Sequence, residues 1–424
     1  MTQIRKKQEE QLGLFWWHVV AIFSLLIGII CLFIYFYDEE PVPDPWYVKY
    51  IEDAINDRVN PKPKPQPVIP ADTSDEDTET QDDSVNNTEG YYYAFLTDEE
   101  KELYLQVYDA VRQINQSVNF TNSISTESLD HIMTAFAYDH PEFYWASNYV
   151  YYLDGNQMVK NIEYELNGDE EQTLQRIYDT ADAIIADMPR TSQYDSYKYI
   201  YQYLTDNTRY DLDAPVDNQQ VTSVLFDHVS VCAGYSKTFQ LLCQRAGLES
   251  VYVTGFVPET DEYGDTHAWN LIKLNDNYYW SDVTWGDPVV PENEENIQTL
   301  FYFCTSDRYF LRNHTPAENL GSYDSFKPIY PECTDPSFEY CVLNGTYFET
   351  YDREAVKNRI QSLASEGRKT IDLQFSSTDE AKAADSDLFT EFSIYPYLDE
   401  IGVSYDGIMA GVDEALSILS IYLP

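Results

Sequence analysis

Three residues with the chemistry of a nucleophilic relay follow one another in a short stretch of this 424-residue sequence. Cys232 offers a thiol, His267 an imidazole and Asp282 a carboxylate. A thiolate can attack a carbonyl carbon, an imidazole can take the thiol proton and pass it on, and a carboxylate can orient the imidazole. We therefore predict Cys232 as the nucleophile, His267 as its base and then acid, and Asp282 as the orienting residue.

The element that must position the thiol is predicted to be a helix over residues 231–247. Three large apolar residues share one of its faces, namely Tyr235, Phe239 and Leu242. A glycine such as Gly247 is typical just beyond a helix C-terminus. Cys232 falls at the N-terminus, where unpaired N–H groups and the helix dipole favour a negatively charged sulfur and could receive an oxyanion. Cys243 has no such position and is interpreted as a core residue.

The imidazole and the carboxylate are predicted to lie on a β-hairpin, because residues 267–274 and 278–284 read as strands around a turn. A two-residue loop, at Asn275-Asp276 or at Asp276-Asn277, places His267 and Asp282 on the same face, whereas a three-residue loop places them on opposite faces. With Asn275-Asp276 as the loop, His267 lies opposite Thr284 and Asp282 is its diagonal neighbour. The spacing therefore permits the relay.

The stretch from Asp211 to Asp287 resembles the bacterial branch of the transglutaminase-like superfamily, which comprises papain-like thiol enzymes. The residues that carry the resemblance are Val231-Cys-Ala-Gly-Tyr235, Gly247-Leu248, Gly255, His267-Ala-Trp-Asn270 and Ser281-Asp-Val-Thr-Trp285. Residues 301–306 with His314 resemble the end of this domain, and residues 139–145 resemble the region that often precedes it. The resemblance implies an α+β papain/transglutaminase-like core, in which a helix bearing Cys232 packs on an antiparallel sheet bearing His267 and Asp282.

The family also uses a donor upstream of the thiol to complete the oxyanion hole, and the resemblance makes Gln219 and Gln220 the candidates without choosing between them. Nothing resembles the calcium sites of animal cross-linking enzymes. No CxxC and no Cys/His cluster has zinc spacing. We expect neither a metal nor a cofactor. Asp287, His228 and His314, which lie near the motifs, are interpreted as packing or hydrogen-bonding to the scaffold.

The chain before this stretch predicts a membrane tether. Residues 14–37 are apolar without acidic or basic residues, and they are long enough to cross a bilayer. Basic residues precede this run and acidic residues follow it, which favours a cytoplasmic N-terminus (1–13) and an uncleaved signal anchor (14–37). Residues 38–90 are rich in proline and acidic residues and predict a disordered linker. The remainder is expected outside the cytoplasm.

Three ordered regions are predicted after the linker: an N-terminal helical and strand region (91–168), the transglutaminase-like catalytic domain (169–320) and a small C-terminal α/β module (321–424). In the first region, Thr97-Asp-Glu-Glu100 is a capping box that opens a helix. In the last, a strand is expected at Gly402–Tyr405. A disulfide among three cysteines is left open by the sequence, namely Cys304, Cys333 and Cys341.

The charge balance excludes one class of function. The 73 acidic against 26 basic residues give a net charge of -47, and such a field repels nucleic acid. We predict a membrane-anchored extracytoplasmic thiol enzyme acting on peptide or glutamine amide bonds of a protein or cell-wall peptide. Hydrolysis is favoured over cross-linking because water needs no binding site and no amine site is visible. The alternatives are a non-catalytic surface binding module and a structural or adhesion protein.

Overall fold

The computed structural model describes residues 89–212, 218–258, 266–287, 299–404 and 407–423. The predicted cytoplasmic segment and signal anchor, and all but the end of the predicted linker, lie outside these residues. Within the described ranges, no helix combines the length and apolar character needed to cross a membrane.

The first part of the fold combines two helices with a three-stranded antiparallel sheet. The helices are α1 (Asp98–Arg112) and α2 (Thr126–Asp139), and the strands are β1 (Ser117–Ile124), β2 (Tyr149–Leu153) and β3 (Val159–Tyr164) in the order β1-β3-β2. The predicted capping box is confirmed: the Thr97 side chain accepts from the Glu100 N–H, and the Glu100 carboxylate accepts from the Thr97 N–H. Single turns of 3-10 helix occur at Tyr92–Phe95 and Tyr144–Ser147.

The middle of the chain places three helices against a four-stranded antiparallel sheet. The helices are α3 (Glu170–Ala186), α4 (Gln193–Asn207) and α5 (Cys232–Arg245). The sheet has the order β8-β7-β6-β9, from β6 (Ser250–Phe256), β7 (Thr266–Leu274), β8 (Asn277–Ser281) and β9 (Thr315–Pro316). Two short strands, β4 (Arg209–Tyr210) and β5 (Val229–Ser230), pair in parallel before α5. Helix α5 packs on β6 and β7, and its predicted apolar face is fully buried, with the Phe239 ring against Tyr197 and Tyr201 of α4.

The register of the β7–β8 hairpin settles which predicted loop is used. Leu274 pairs with Asn277, so Asn275 and Asp276 form the two-residue loop, with φ values of 50° and 69°. Positive φ at both loop positions is the geometry that matches the twist of a tight hairpin, and Asn and Asp tolerate it. The last pair of the ladder is Asn270 with Ser281. The chain therefore leaves the sheet one residue before Asp282.

The C-terminal part folds around its own apolar core. The single turn α6 (Asp307–Phe310) lies between β8 and β9 and belongs to the middle of the chain. The helices of the C-terminal part are α8 (Arg353–Ser365), α9 (Thr378–Asp385) and α10 (Ile394–Ile401), and the single turn α7 (Tyr340–Leu343) lies in the connection that precedes them. The strands of this part are β10 (Tyr347–Phe348), β11 (Thr370–Phe375), β12 (Met409–Asp413) and β13 (Ile418–Tyr422), in the order β10-β11-β13-β12. The strand predicted from Gly402 is wrong, because Gly402 adopts a φ of 69° and ends α10.

The N-terminal region and the middle sheet share one hydrophobic core, in which Tyr104 and Phe136 pack in the same cluster as Val253 and Trp269. The sheet that carries His267 is thus supported on one face by residues far upstream in the chain. The five described cysteines are all free, so none of the disulfides left open by the sequence forms among them.

Candidate active site

Cys232 is the first residue of α5. The preceding residue, Val231, has an extended backbone (φ −116°, ψ 178°) and provides no side-chain cap. The first N–H groups of an α-helix have no partner within the helix, so this helix start offers uncapped donors beside the sulfur. The thiol is half-buried and packs against Ala233, Tyr252 and Ala268.

A close approach of the preceding loop fixes this helix start. The Ser230 hydroxyl donates to the Asn218 carbonyl over 2.7 Å, and the same carbonyl accepts from the Val231 N–H at 3.3 Å. A Cβ atom on Gly234 would lie 2.0 Å from Ser230 Oγ and 3.0 Å from the Asn218 carbonyl oxygen. Glycine in the Cys-Ala-Gly motif therefore leaves room for the loop to reach the helix.

Helix and sheet are joined by polar contacts directly beside the two predicted catalytic residues. The Ser236 hydroxyl donates to the Ala268 carbonyl at 2.9 Å, and the Asn270 amide donates to the Ser236 carbonyl at 2.9 Å. These buried contacts fix α5 against β7, so that the start of the helix faces the start of the strand.

His267, near the start of β7, is 8% exposed, and its Nε2 lies 2.7 Å from Oδ2 of the fully buried Asp282. Asp282 reaches it from the turn that follows β8, not as a ladder neighbour: its N–H donates to the Tyr302 carbonyl at 2.8 Å, and its Oδ1 accepts from the Trp285 N–H at 3.1 Å. Because Asp282 occupies Nε2, Nδ1 is the His267 nitrogen left for Cys232.

The charged forms of His267 and Asp282 stabilise each other. Burial alone would lower the pKa of His267, but the Asp282 charge and hydrogen bond, together with a hydrogen bond to Cys232 and its charge, raise that pKa to about 10. Burial would raise the pKa of Asp282, but the charges and hydrogen bonds of His267 and His314 outweigh it and hold that pKa far below its usual range. The arrangement therefore favours an imidazolium at His267 beside the ionised carboxylate of Asp282.

A second histidine meets the same carboxylate. Nε2 of His314, which is fully buried, lies 3.1 Å from Asp282 Oδ2. The sequence interpretation of His314 as a scaffold residue did not foresee this contact with a predicted site residue. In the sequence, the only indication was that His314 follows the segment that resembles the end of the domain. That position does not show the direction in which the ring points.

The other residues singled out near the motifs have different surroundings. Asp287 accepts from the Tyr235 hydroxyl at 2.7 Å. His228 takes a left-handed conformation (φ 56°) between the helical turn Ser223–Asp227 and strand β5. Gln219 is exposed, and the Gln220 carbonyl oxygen Oε1 accepts from Lys237 Nζ at 3.3 Å. Among the described residues, neither glutamine is hydrogen-bonded to Cys232, so their role as oxyanion donors stays a prediction.

Within the described ranges, His267, Asp282 and His314 form a group whose donor atoms are close enough to hold a metal ion, since one ligand atom from each lies within 4.8 Å of the others. The two imidazole Nε2 atoms, however, both stand at direct hydrogen-bonding distance from a single carboxylate oxygen. Protons on the two rings are enough to account for that geometry.

Residues 180–284, which include all three predicted catalytic positions, match the family model described as the transglutaminase-like superfamily. This match covers about a quarter of the chain, and the described residues of that part form a mixed α+β fold.

Among known proteins, the chain is similar to kyphoscoliosis peptidase of Mus musculus, with 28% identity over 131 residues, and of Homo sapiens, with 26% identity over 151 residues. These alignments cover 28% and 32% of this chain but only 20% and 23% of the two relatives.

Two solved structures are also similar, each at 14% identity. One is a putative cysteine protease from Cytophaga hutchinsonii (TM-score 0.23, 32% of this chain and 53% of that one), and the other is a TGase (TM-score 0.25, 46% and 55%).

Proposed function

We propose that this protein is a thiol enzyme that cleaves peptide or glutamine amide bonds, with Cys232 as nucleophile, His267 as base and acid, and Asp282 as the orienting residue. The observation that carries the proposal is the buried 2.7 Å contact between His267 and Asp282, which leaves the second ring nitrogen for a thiol at an uncapped helix start. A structural histidine does not require this combination.

The reaction runs in two halves. The Cys232 sulfur attacks the amide carbon while His267 holds the thiol proton, and the oxyanion that forms lies near the free N–H groups of the first turn of α5. The C–N bond then breaks, His267 gives its proton to the departing amine, and a thioester to Cys232 remains. In the second half, water loses a proton to His267, attacks the thioester and releases the acid and the thiol.

An amine could replace water in the second half and give a new amide instead of an acid. Hydrolysis is the preferred outcome because no second charged pocket beside Cys232 is needed for it. The name peptidase of the two relatives is in line with this choice, although the similarity covers only part of those proteins.

The proposed setting is the outer side of a membrane, with a protein or cell-wall peptide as the substrate. This part rests on the sequence alone, namely the apolar run at residues 14–37 and the linker that follows it. Protease accessibility of the folded part in intact cells tests it, since digestion from outside is expected and protection would contradict an extracytoplasmic position.

The test of the activity uses the purified protein, an unfolded protein substrate and a glutamine peptide. New amino termini and released ammonia report hydrolysis, whereas incorporation of a labelled primary amine reports transfer. Cys232→Ala is expected to abolish both, and Cys243→Ala, a buried thiol on the same helix, to retain them. Equal turnover by Cys232→Ala and the parent protein would remove the catalytic assignment and favour the binding module.

A further inference from the structure

We infer that His314 is a positioning residue of the proposed site, because it holds the Asp282 carboxylate by the same oxygen that holds His267. The inference rests on the proposed function for its catalytic consequence, but the contact itself does not.

The carboxylate of Asp282 is fixed from three sides. Oδ2 stands 2.7 Å from His267 Nε2 and 3.1 Å from His314 Nε2, and Oδ1 accepts from the Trp285 N–H at 3.1 Å. A carboxylate can only accept when ionised, so each ring must carry its proton on Nε2. With two donors to one oxygen and one donor to the other, the plane of the carboxylate is determined and not only its position.

His314 itself cannot turn away from this contact. Burial lowers the pKa of His314, so the neutral ring has its one proton on Nε2, and its Nδ1 accepts from the side-chain amide of Asn313 at 2.7 Å; that amide also contacts the Tyr302 hydroxyl at 2.9 Å. The ring also stacks on Phe310 with centroids 4.0 Å apart and meets Trp285 edge-on at 4.6 Å. Both nitrogens and both faces of the ring are therefore engaged.

One segment of the chain holds both parts of Asp282. The Tyr302 carbonyl accepts from the Asp282 N–H. The hydroxyl of the same tyrosine contacts Asn313, Asn313 contacts His314, and His314 contacts the Asp282 side chain. Residues 302–314 thus fix the carboxylate relative to its own backbone. This segment lies beyond the β7–β8 hairpin, which carries His267 and ends one residue before Asp282.

A second donor on a shared oxygen has a specific electrostatic effect. It stabilises the ionised form of Asp282, and it draws charge from the oxygen that holds the His267 proton. Without it, His267 has the carboxylate to itself and should lose its proton at a higher pH, while the carboxylate gains freedom to rotate. The neighbouring phenols Tyr201 and Tyr302 do not titrate in this range, because burial raises the pKa of each well above its usual value.

If His314 contributed only by packing, replacing its ring with an apolar ring of similar shape should have no effect on the site. The cage around the ring consists of aromatic side chains, and a phenylalanine would fill it without either nitrogen. His314→Phe therefore separates packing from donation, and His314→Gln is the conservative counterpart, because its amide nitrogen can stand near the position of Nε2 and donate.

The experiment measures kcat, KM and the pH dependence of turnover for the parent protein, His314→Phe and His314→Gln, with unfolding curves for each. For His314→Phe we expect kcat to fall about 10- to 100-fold, as is typical when a partner behind a catalytic ligand is removed. KM should change far less, and the alkaline limb should move to higher pH. His314→Gln should recover most of kcat. Equal kcat and an unmoved alkaline limb in a folded His314→Phe protein would overturn the inference.

Two further readouts are independent of the substrate. The rate of alkylation of Cys232 by iodoacetamide as a function of pH should shift in His314→Phe and not in His314→Gln. The parent protein should show two hydrogen-bonded imidazole N–H proton signals in this site, of which His314→Phe loses one and His267→Phe the other.

These readouts keep the two claims apart. If the parent protein shows no turnover, but the alkylation shift and the two imidazole N–H signals are both observed, the proposed function is wrong and the positioning role is supported. Absence of the His314 proton signal in the parent protein would overturn the role even if turnover is found and even if His314→Phe fails to fold.

Discussion

The two ends of helix α5 carry the same side chain in opposite circumstances. Cys232 begins the helix, is half-buried and stands beside uncapped N–H groups, whereas Cys243 lies in the last turn and is fully buried. Burial raises the pKa of the Cys243 thiol well above its usual range, and a hydrogen bond to Ser250 offsets only a part of this. The chemistry of a cysteine in this protein thus follows from its place along the helix.

The neighbours of the two thiols widen the difference. Cys232 shares a hydrogen bond with His267, which carries a raised pKa and is held by Asp282. Cys243 is surrounded by the apolar core of the middle region, and the dipole at a helix C-terminus disfavours a negative charge there. Cys232 therefore has a proton-accepting partner at its end of the helix, whereas the surroundings of Cys243 oppose a negative charge.

The largest expected effect is on alkylation. Iodoacetamide should modify Cys232 in the folded protein at least about 100-fold faster than Cys243, because a fully buried thiol reacts only after local opening. The other three described cysteines should behave like Cys243, since all are buried and burial raises the pKa of each. Mass spectrometry of peptides after timed labelling measures the five rates.

Urea is the control for that experiment, because unfolding should bring the five rates together. Comparable alkylation rates at Cys232 and Cys243 in the native protein would show that the position at the helix start does not make a thiol more reactive, and would contradict the difference proposed between the two ends.

The sequence supports this contrast only in part. The position of Cys232 at a helix start and of Gly247 beyond its end could be predicted, because caps and apolar periodicity are local signals. The hairpin loop could be narrowed to three alternatives, two of two residues and one of three, and the structure selects Asn275-Asp276. Local patterns predict the elements, but the predicted strand over residues 278–284 is too long, because β8 ends at Ser281 and Asp282 lies in the turn that follows.

What lay beyond the sequence depends on contacts between distant segments. The ladder stops at Ser281 because the Asp282 N–H binds the Tyr302 carbonyl, and nothing near Asp282 in the sequence indicates this. The contact of His314 with Asp282 has the same character. Gly402 was misassigned to a strand because its left-handed conformation after α10 is only one of several that glycine adopts.

The second expected effect is a pH dependence of stability that comes from His267, which lies beside the N-terminal end of α5. The pKa of His267 rises from its ordinary 6.5 to about 10 in the folded protein, so the folded state binds the proton more tightly than the unfolded chain does. The resulting stability is complete below about pH 6.5, declines above it and is lost as the pH passes about 10. The pKa of Asp282 is depressed, so its contribution fails only in acid.

Urea unfolding of the parent protein and of His267→Gln between pH 6 and pH 10.5 measures this effect. The difference in the free energy of unfolding between the parent and His267→Gln should shrink steadily across that interval. The difference in the free energy of unfolding between the parent and Cys243→Ala should stay constant only up to about pH 8, because above that pH the thiol ionises in the unfolded chain while burial keeps it neutral in the folded protein. A margin over His267→Gln that does not change with pH would show that His267 is uncharged in the folded protein.

The smallest effect comes from one substitution made at both ends of the helix. Gly247→Ala, at a φ of 72° with no atom within 4 Å of the added Cβ, should lower the free energy of unfolding by about 1–2 kcal/mol, the cost of the left-handed conformation, and leave turnover unchanged. Gly234→Ala meets Ser230 Oγ at 2.0 Å, so the loop before Cys232 must move, and turnover should fall together with stability. Denaturant unfolding and turnover measured side by side decide the matter. If both variants lose stability alone, the helix start is an ordinary packing site, and the difference between the two ends lies in the thiols and not in the backbone that presents them.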